Sequence, residues 1–182
     1  HSSVEIGSIS EVRGNAQVLR DKPYGAELQF NIQQMDDVRT EAGRVAITFE
    51  DDSTVKLTEH SKLVIDEYIY DPDPSKSKMA LKFASGTARF ITGKFNNKSN
   101  ISIRTPTADI AIRGTDFTCT VDELGRSLVI LLPDENGLSS GEIIVSTGIG
   151  SVTLNKPYQA TTVSVYELSL IHISEPTRRT PI

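Results

Sequence analysis

Tryptophan is absent, and histidine and cysteine are scarce: three and one respectively in 182 residues. A single cysteine cannot close an intramolecular disulfide, so no cross-linked scaffold forms within the chain, and cysteine usage does not report the redox compartment. Cys119 alternates with Phe117 and Val121, the placement of a small buried hydrophobe rather than a reactive thiol. With His1 terminal and His172 in a stretch set aside below, a histidine-based triad would have to use His60, in a polar turn beside Glu59. There is no CxxC pair, histidine cluster or phosphate-cradling glycine loop, and Gly148-Ile149-Gly150 lacks a third glycine and a following helix. No apolar run approaches the ~20 residues of a membrane-spanning helix. Helical apolar spacing is missing too, apart from one short turn that Thr58-Glu59-His60-Ser61 could form. Basic excess is lacking: 19 Lys and Arg against 24 Asp and Glu give a net charge of -5, the wrong sign for a phosphate-backbone binder. These absences predict no catalytic residues, no metal, no cofactor, no nucleic-acid partner and no direct membrane span in this chain.

What is present is alternation. Val45, Ile47 and Phe49 form a period-two strand, Glu50-Asp51-Asp52-Ser53 breaks it, and Val55 and Leu57 resume it, which predicts a hairpin. Similar pairs recur at Leu28/Phe30/Ile32, Leu63/Ile65, Leu81/Phe83, Ile101/Ile103, Ile143/Val145, Val152/Leu154 and Val163/Val165. Gly14, Gly43, Gly86, Gly141 and Gly150 each enter a strand whose next-but-one residues are small or apolar, at spacings too irregular for a strict solenoid. The expectation is an all-β fold, a twisted two-layer β-sandwich with solenoid-like coiling of short strands. Lys56, Lys62, Lys82 and Lys94 are expected to guard its edge strands. The polar stretch from Asp71 to Lys78 reads as a surface loop, and Asn96-Asn97-Lys98-Ser99-Asn100 as a turn. The paired carboxylates Asp36/Asp37, Asp51/Asp52 and Asp71/Asp73 read as solvated turn tips, as does Asp134/Glu135, whose other reading is weak calcium capture with Asn136.

The most unusual run is Thr105-Pro106-Thr107-Ala108-Asp109-Ile110-Ala111-Ile112-Arg113-Gly114-Thr115-Asp116-Phe117. Pro106 cannot pair fully in a sheet. Beyond it Ile110 and Ile112 face one way, with Asp109, Ala111 and Arg113 facing the other. Gly114 weakens the strand or admits a close backbone. Thr105-Pro106-Thr107-Ala108 with Ile112-Arg113-Gly114-Thr115-Asp116-Phe117 resembles the signature of the FecR domain, and the likeness continues upstream through Asp37-Val38-Arg39-Thr40, Gly43 to Phe49 and Asp51-Asp52-Ser53. It covers roughly Gly7 to Val165. Asp52 stands where that family usually has glycine, and Ala111 replaces another frequent glycine. The resemblance implies an extended, twisted all-β domain, a periplasmic or extracellular location and a protein or ligand partner, in signalling members as part of a relay to sigma factors. For the motif itself two readings stand: Arg113, Thr115 and Asp116 form a recognition surface, or Arg113 ties strands together, with Asp116 as its nearest partner.

Residues 168–182 break the pattern. Leu168 to Arg178 resembles the conceptual translation of a transposon-type sequencing-library adaptor, so the expected division is one domain over 1–167 and a non-native tail over 168–182. Gly137-Leu138-Ser139-Ser140-Gly141 matches the G-x-S-x-G pattern of hydrolase elbows, but a polar loop precedes it and a strand follows where a helix is needed. Two non-enzymatic classes therefore remain: an envelope or secreted partner-binding domain, or a structural and adhesive module of a phage or cell surface.

Overall fold

The computed structural model describes residues 4–95, 100–165 and 168–173. The first part of the chain forms β1 (Glu5–Arg13), β2 (Ala16–Leu19), β3 (Pro23–Gly25), β4 (Asn31–Gln33), β5 (Asp37–Thr40), β6 (Arg44–Phe49), β7 (Thr54–Leu57), β8 (Lys62–Ile69) and the long β9 (Lys78–Ile91). The remainder forms β10 (Asn100–Arg104), β11 (Asp109–Arg113), β12 (Asp116–Val121), β13 (Ser127–Leu131), β14 (Glu142–Thr147), β15 (Gly150–Leu154), β16 (Gln159–Val163) and β17 (Leu168–His172). Burial alternates along β7, β10, β11, β12 and β13, as period-two patterning requires of strands with one face on a core.

Two layers result. Hydrogen-bonded neighbours run β4-β1-β6-β7-β9-β12-β13-β16-β17 in one. In the other they run β3-β2-β5-β8-β9-β10-β11-β14-β15. After β9, hairpins alternate between the layers, so the chain coils as a flattened solenoid. β9 belongs to both. Its first part lies between β8 and β10, and its last part, from Gly86, lies between β7 and β12. The switch occurs at Gly86, whose φ of 98° suits glycine and where a Cβ would sit 2.2 Å from Ser61 Oγ. Among the described residues the strand pairs are antiparallel except β9 with β10, whose parallel register needs a crossover connection.

Apolar side chains from both layers form one continuous cluster, with Phe49, Phe83 and Phe117 among its largest fully buried members. Phe90 stacks on Phe117 at 5.1 Å and meets Phe83 edge-on at 6.1 Å, joining the layers at the β9 switch. Burying each such ring contributes roughly 1.5–3 kcal/mol.

Several expectations change. Lys56, Lys62 and Lys82 sit in interior strands with neighbours on both sides, so they guard no edge. The edges are instead blunted by shortness in β3 and β4, three residues each, with Pro23 opening β3. Leu28 is exposed and outside any strand, leaving the fully buried Ile32 and the partly buried Phe30 to carry that segment's packing. Asp36 and Asp51 are fully buried rather than solvated, because each satisfies hydrogen bonds that a loop tip would give to water. Thr58-Glu59-His60-Ser61 is a turn with no helical character, and the one helical turn among the described residues is Pro74–Lys76, capped by the Asp73 side chain in the loop joining β8 to β9. Within the stretch set aside as a tail, Leu168–His172 pairs antiparallel with β16. Residues 174–182, His1 and Asn96 to Ser99 of the turn expected over Asn96 to Asn100 lie outside the described residues, while Asn100 opens β10.

Candidate functional site

The unusual run divides into two working halves at opposite ends of β11. At the first, Thr105 to Ala108 is the turn between β10 and β11, closed by the Thr105 amide donating to the Ala108 carbonyl at 2.9 Å. The buried Thr105 hydroxyl accepts from the amides of Ala108 (3.0 Å) and Thr107 (3.3 Å) and meets the Ser127 hydroxyl at 2.7 Å. Thr107 donates to the Gly125 carbonyl at 2.8 Å and its oxygen also lies 2.8 Å from Ser127 Oγ. The β10–β11 hairpin of one layer is thereby fastened to the β12–β13 hairpin of the other through three hydroxyls, with Pro106 beside Gly125. Fixed hydroxyls that satisfy buried backbone groups in this way stabilise by about 1 kcal/mol per bond. Pro106 stays out of the ladder, as its missing amide hydrogen demands.

At the other end, the chain crosses between layers from β11 to β12. Ile112 is buried and Arg113 is exposed, with no side-chain partner among the described residues. Its cross-strand neighbour is Glu142, yet no ion pair forms. The tie from Arg113 to Asp116 expected from sequence is absent, for a geometric reason: Arg113 ends a strand in one layer and points outward, while Asp116 opens a strand in the other. Asp116 is taken by Arg89 across the β9–β12 pair, with Nε at 2.9 Å and Nη2 at 2.6 Å, and this fork holds the Arg89 guanidinium above its ordinary pKa. Gly114 has a φ of 54° and open space around its missing side chain, so its value is conformational. The close approach belongs to Gly141, where a Cβ would stand 1.9 Å from the Gly114 carbonyl oxygen.

Thr115 is buried and its backbone makes two hydrogen bonds with Thr92: the Thr92 amide donates to its carbonyl at 2.9 Å, and its own amide donates to Thr92 Oγ1 at 3.2 Å. Ser140 completes the crossing by accepting from the Asp116 amide at 3.0 Å and donating to the Leu132 carbonyl at 2.7 Å. Phe117, fully buried, anchors the following strand. Between the crossings at Thr92-Gly93, Gly114-Thr115 and Pro133 to Ser140 lies an open groove of about 570 Å³, lined also by the Arg89–Asp116 pair and by Asp134 and Glu135.

The turn at Asp51-Asp52-Ser53 resolves the upstream departure from the family pattern. Asp52 adopts φ 69°, the conformation glycine would supply and one of the few that aspartate tolerates. Beneath it, Tyr68 donates to Asp51 Oδ1 at 2.7 Å and accepts the Asp51 amide at 3.0 Å, Ser53 donates to Asp51 Oδ2, and the Gly93 amide donates to Ser53 Oγ at 2.9 Å. Burial, then the Asp51 carboxylate, raises the Tyr68 phenol far above its usual range. Sequence reasoning missed this network and the Arg20–Asp36 fork, at 2.7 Å to each oxygen, in which Arg20 also lies over the Tyr24 and Phe30 rings. The available signal was the Asp51-Asp52-Ser53 turn itself; the partners lie 16 and 17 residues away in sequence.

The candidate nucleophiles are otherwise occupied. Cys119 is fully buried, which pushes its thiol up to about 12. Ser139 donates to the Gly141 carbonyl at 2.6 Å, and β14 rather than a helix follows it. His60 is exposed in its turn. Asp134 Oδ1 accepts the amides of Asn136 (2.8 Å) and Leu138 (3.0 Å), closing its own loop. Among the described residues no three histidine, cysteine or acidic side chains converge as a metal site would require. Nor, among them, is any helix long and apolar enough to cross a membrane.

A family model described as "FecR protein" matches residues 36–133, a span that contains the buried Asp36, the β6–β7 turn and both halves of the unusual run. Two crystal structures of a candidate anti-sigma factor from Parabacteroides distasonis ATCC 8503, at 2.50 and 1.65 Å, superpose with a TM-score of 0.59 at 16% identity. The match covers 75% of this chain and 59% of theirs, so the chain spans about three fifths of their length. At that identity the likeness is one of fold. A search of curated proteins by sequence finds no match.

Proposed function

Because the chain belongs to the FecR family, we propose that it is a non-enzymatic domain that binds a protein partner within a signal-transduction relay, on the outer side of the cytoplasmic membrane. The observation that carries this reading is the family match over 36–133, which spans the motif and the scaffold it fastens. The anti-sigma description of the structural neighbours points the same way. The chemistry of the molecule suits binding better than turnover. The hydroxyls of Thr105, Thr107, Ser127 and Ser140 are spent on fastening the strand junctions, while Arg113, Asp134 and Glu135 stand outward. Outward charges on a fixed scaffold give orientation and encounter rate to a protein complex.

The test is genetic and topological. Deleting the gene is expected to change transcription of a sigma-factor-dependent set of genes, restored by the wild-type copy. Alkaline phosphatase joined after Val165 is expected to be active, as it is only outside the cytoplasm. An unchanged transcriptome, or an inactive fusion with intact protein, would overturn the reading.

A further inference from the structure

Arg13 and Arg44 end the β1–β6 ladder directly opposite one another, two like charges on a single cross-strand pair. Side chains so placed have Cβ atoms about 4.5–5.5 Å apart, and equal charges there destabilise a sheet. Both arginines are exposed, and neither has an ion pair or side-chain hydrogen bond among the described residues. The other described arginines behave differently. Arg20, Arg39, Arg89, Arg104 and Arg126 each meet a carboxylate, and Arg113 lies opposite Glu142. The backbone holds the like pair in place. Gly43 packs so closely on the Arg13 and Asn15 carbonyl oxygens that a Cβ would stand 2.6 Å from each.

The pair lines an open groove of about 470 Å³ together with Ser10, Glu11, Val12 and Leu28. Two departures from regular structure shape this groove. Ser10 is an extra residue in β1, bulged between the Ile9–Ile47 and Glu11–Ala46 pairs, and bulges re-aim the side chains beside them. The segment carrying Leu28 is pinned at the same place: the Gln29 amide donates to the Ile9 carbonyl at 2.8 Å, and the Ile9 amide donates to the Phe30 carbonyl at 3.0 Å. Gln29 takes φ 64° there, a conformation that disfavours a residue with a Cβ, and Leu28 is left 62% exposed. Core packing explains neither the exposed leucine nor the facing arginines.

The lining thus offers two guanidiniums, one carboxylate and an apolar strip of Val12 and Leu28. Glu11 lies two residues from Arg13, yet it pairs with neither arginine. A cation is repelled here. A phosphate dianion matches the arginines but not Glu11 or the apolar strip. A side-chain carboxylate carries one charge, fits the planar fork of a guanidinium, and belongs to a chain that can also bring an apolar neighbour. In an extended segment, residues two apart share a face at about 6.6 Å.

We infer that this groove docks an extended segment of the protein partner through an aspartate or glutamate side chain set between Arg13 and Arg44, with an apolar residue two places along resting on Leu28. The inference rests on the partner-binding reading and names the chemistry of the contact. Exposed charges attract over about 10 Å at 0.1 M salt, so binding weakens as salt rises.

The test is a titration of the full chain, followed by amide ¹H–¹⁵N NMR, with acetyl-Glu-Ala-Leu-amide, the neutral acetyl-Gln-Ala-Leu-amide, the free acid acetyl-Gln-Ala-Leu, and sodium phosphate. Saturable shifts confined to the amides of Ser10 to Arg13, Leu28 and Arg44 are expected with the glutamate peptide and not with its neutral counterpart. Arg44→Gln is expected to weaken that binding about tenfold, and Leu28→Ala about threefold. Arg44→Glu turns the like pair into an opposite one, so it is expected to raise the Tm of the free protein while abolishing binding. Absence of shifts, equal response to the neutral peptide, or binding that survives in Arg44→Glu would each overturn the inference. Tighter binding of the free acid or of phosphate on the same amides would overturn it too, by assigning the groove to a chain terminus or a phosphate group. If the peptides leave the groove unmoved while deletion of the gene still alters transcription, the groove fails and the relay stands. The converse pattern leaves the groove standing without the relay.

Discussion

The phenol of Tyr68 lies 2.7 Å from a carboxylate oxygen of Asp51, both residues almost wholly buried beneath the β6–β7 turn. The same oxygen of Tyr68 takes the Asp51 amide, so one hydroxyl satisfies a turn that would otherwise bury a charge and a donor together. Tyr68→Phe keeps the ring stacking on Phe49 at 5.1 Å and removes only this link. It is expected to cost about 1–3 kcal/mol, read as a lowered Tm in thermal unfolding by circular dichroism.

The same pair sets an alkaline limit. Folding raises the Tyr68 pKa above the ordinary value of 10.0, chiefly through burial. The unfolded chain therefore loses this proton first, and stability present below pH 10 declines as pH rises past it. In denaturant titrations between pH 9 and about 11.5, Tyr68→Phe should show a shallower alkaline decline than the wild type.

Glycine substitutions should separate space from conformation. Gly141→Ala places a Cβ 1.9 Å from the Gly114 carbonyl oxygen, a backbone atom that cannot give way cheaply, and is expected to cost about 3 kcal/mol or more. Gly114→Ala meets no atom and pays only for a φ of 54°, about 1–2 kcal/mol. Equal losses in urea unfolding would contradict this assignment of roles.

Arginines divide in a similar way. Arg113→Ala, at an exposed residue without an ion pair, is expected to shift stability by no more than about 0.5 kcal/mol. Asp36→Ala strands the Arg20 guanidinium and the Gln33 amide that donates to Asp36 at 2.8 Å, and is expected to cost about 2–4 kcal/mol. Chemical denaturation of the two variants side by side checks the contrast.

The interlayer clasp gives a cooperative prediction. Thr107→Val and Ser127→Ala each remove one member of a shared hydroxyl contact at 2.8 Å, so their combined loss should fall short of the sum of the single losses. Additive losses in a double-mutant cycle would show that the two hydroxyls act independently.

Much of the fold was legible because strand alternation is local information. Val45, Ile47, Phe49, Val55 and Leu57 declare their hairpin without reference to the rest of the chain, and the structure buries all five. The pairing partners of charges were not legible. Asp116 was expected to meet Arg113, three residues away, but a strand end in one layer and a strand start in the other cannot share a face. Its partner is Arg89, 27 residues distant and brought diagonally across from it only by the β9–β12 register, which pairs Asp116 with Ile91 and Arg89 with Thr118. The motif was visible as a motif, yet its division into an interlayer fastening at Thr105 and Thr107 and a groove at Thr115 depends on which hairpin lies in which layer. Nothing in the order of residues states that.

β9 carries a mechanical consequence. Because one strand is hydrogen-bonded at one end into the first layer and at the other into the second, neither layer can be peeled away while the other stays intact. A pull applied near Gly7 in β1 and Val152 in β15, which lie in different layers, would load β9 along its length, as a rivet is loaded by two plates sliding apart. Force-extension traces should then show a single rupture at the Gly86 switch rather than a staircase of hairpins.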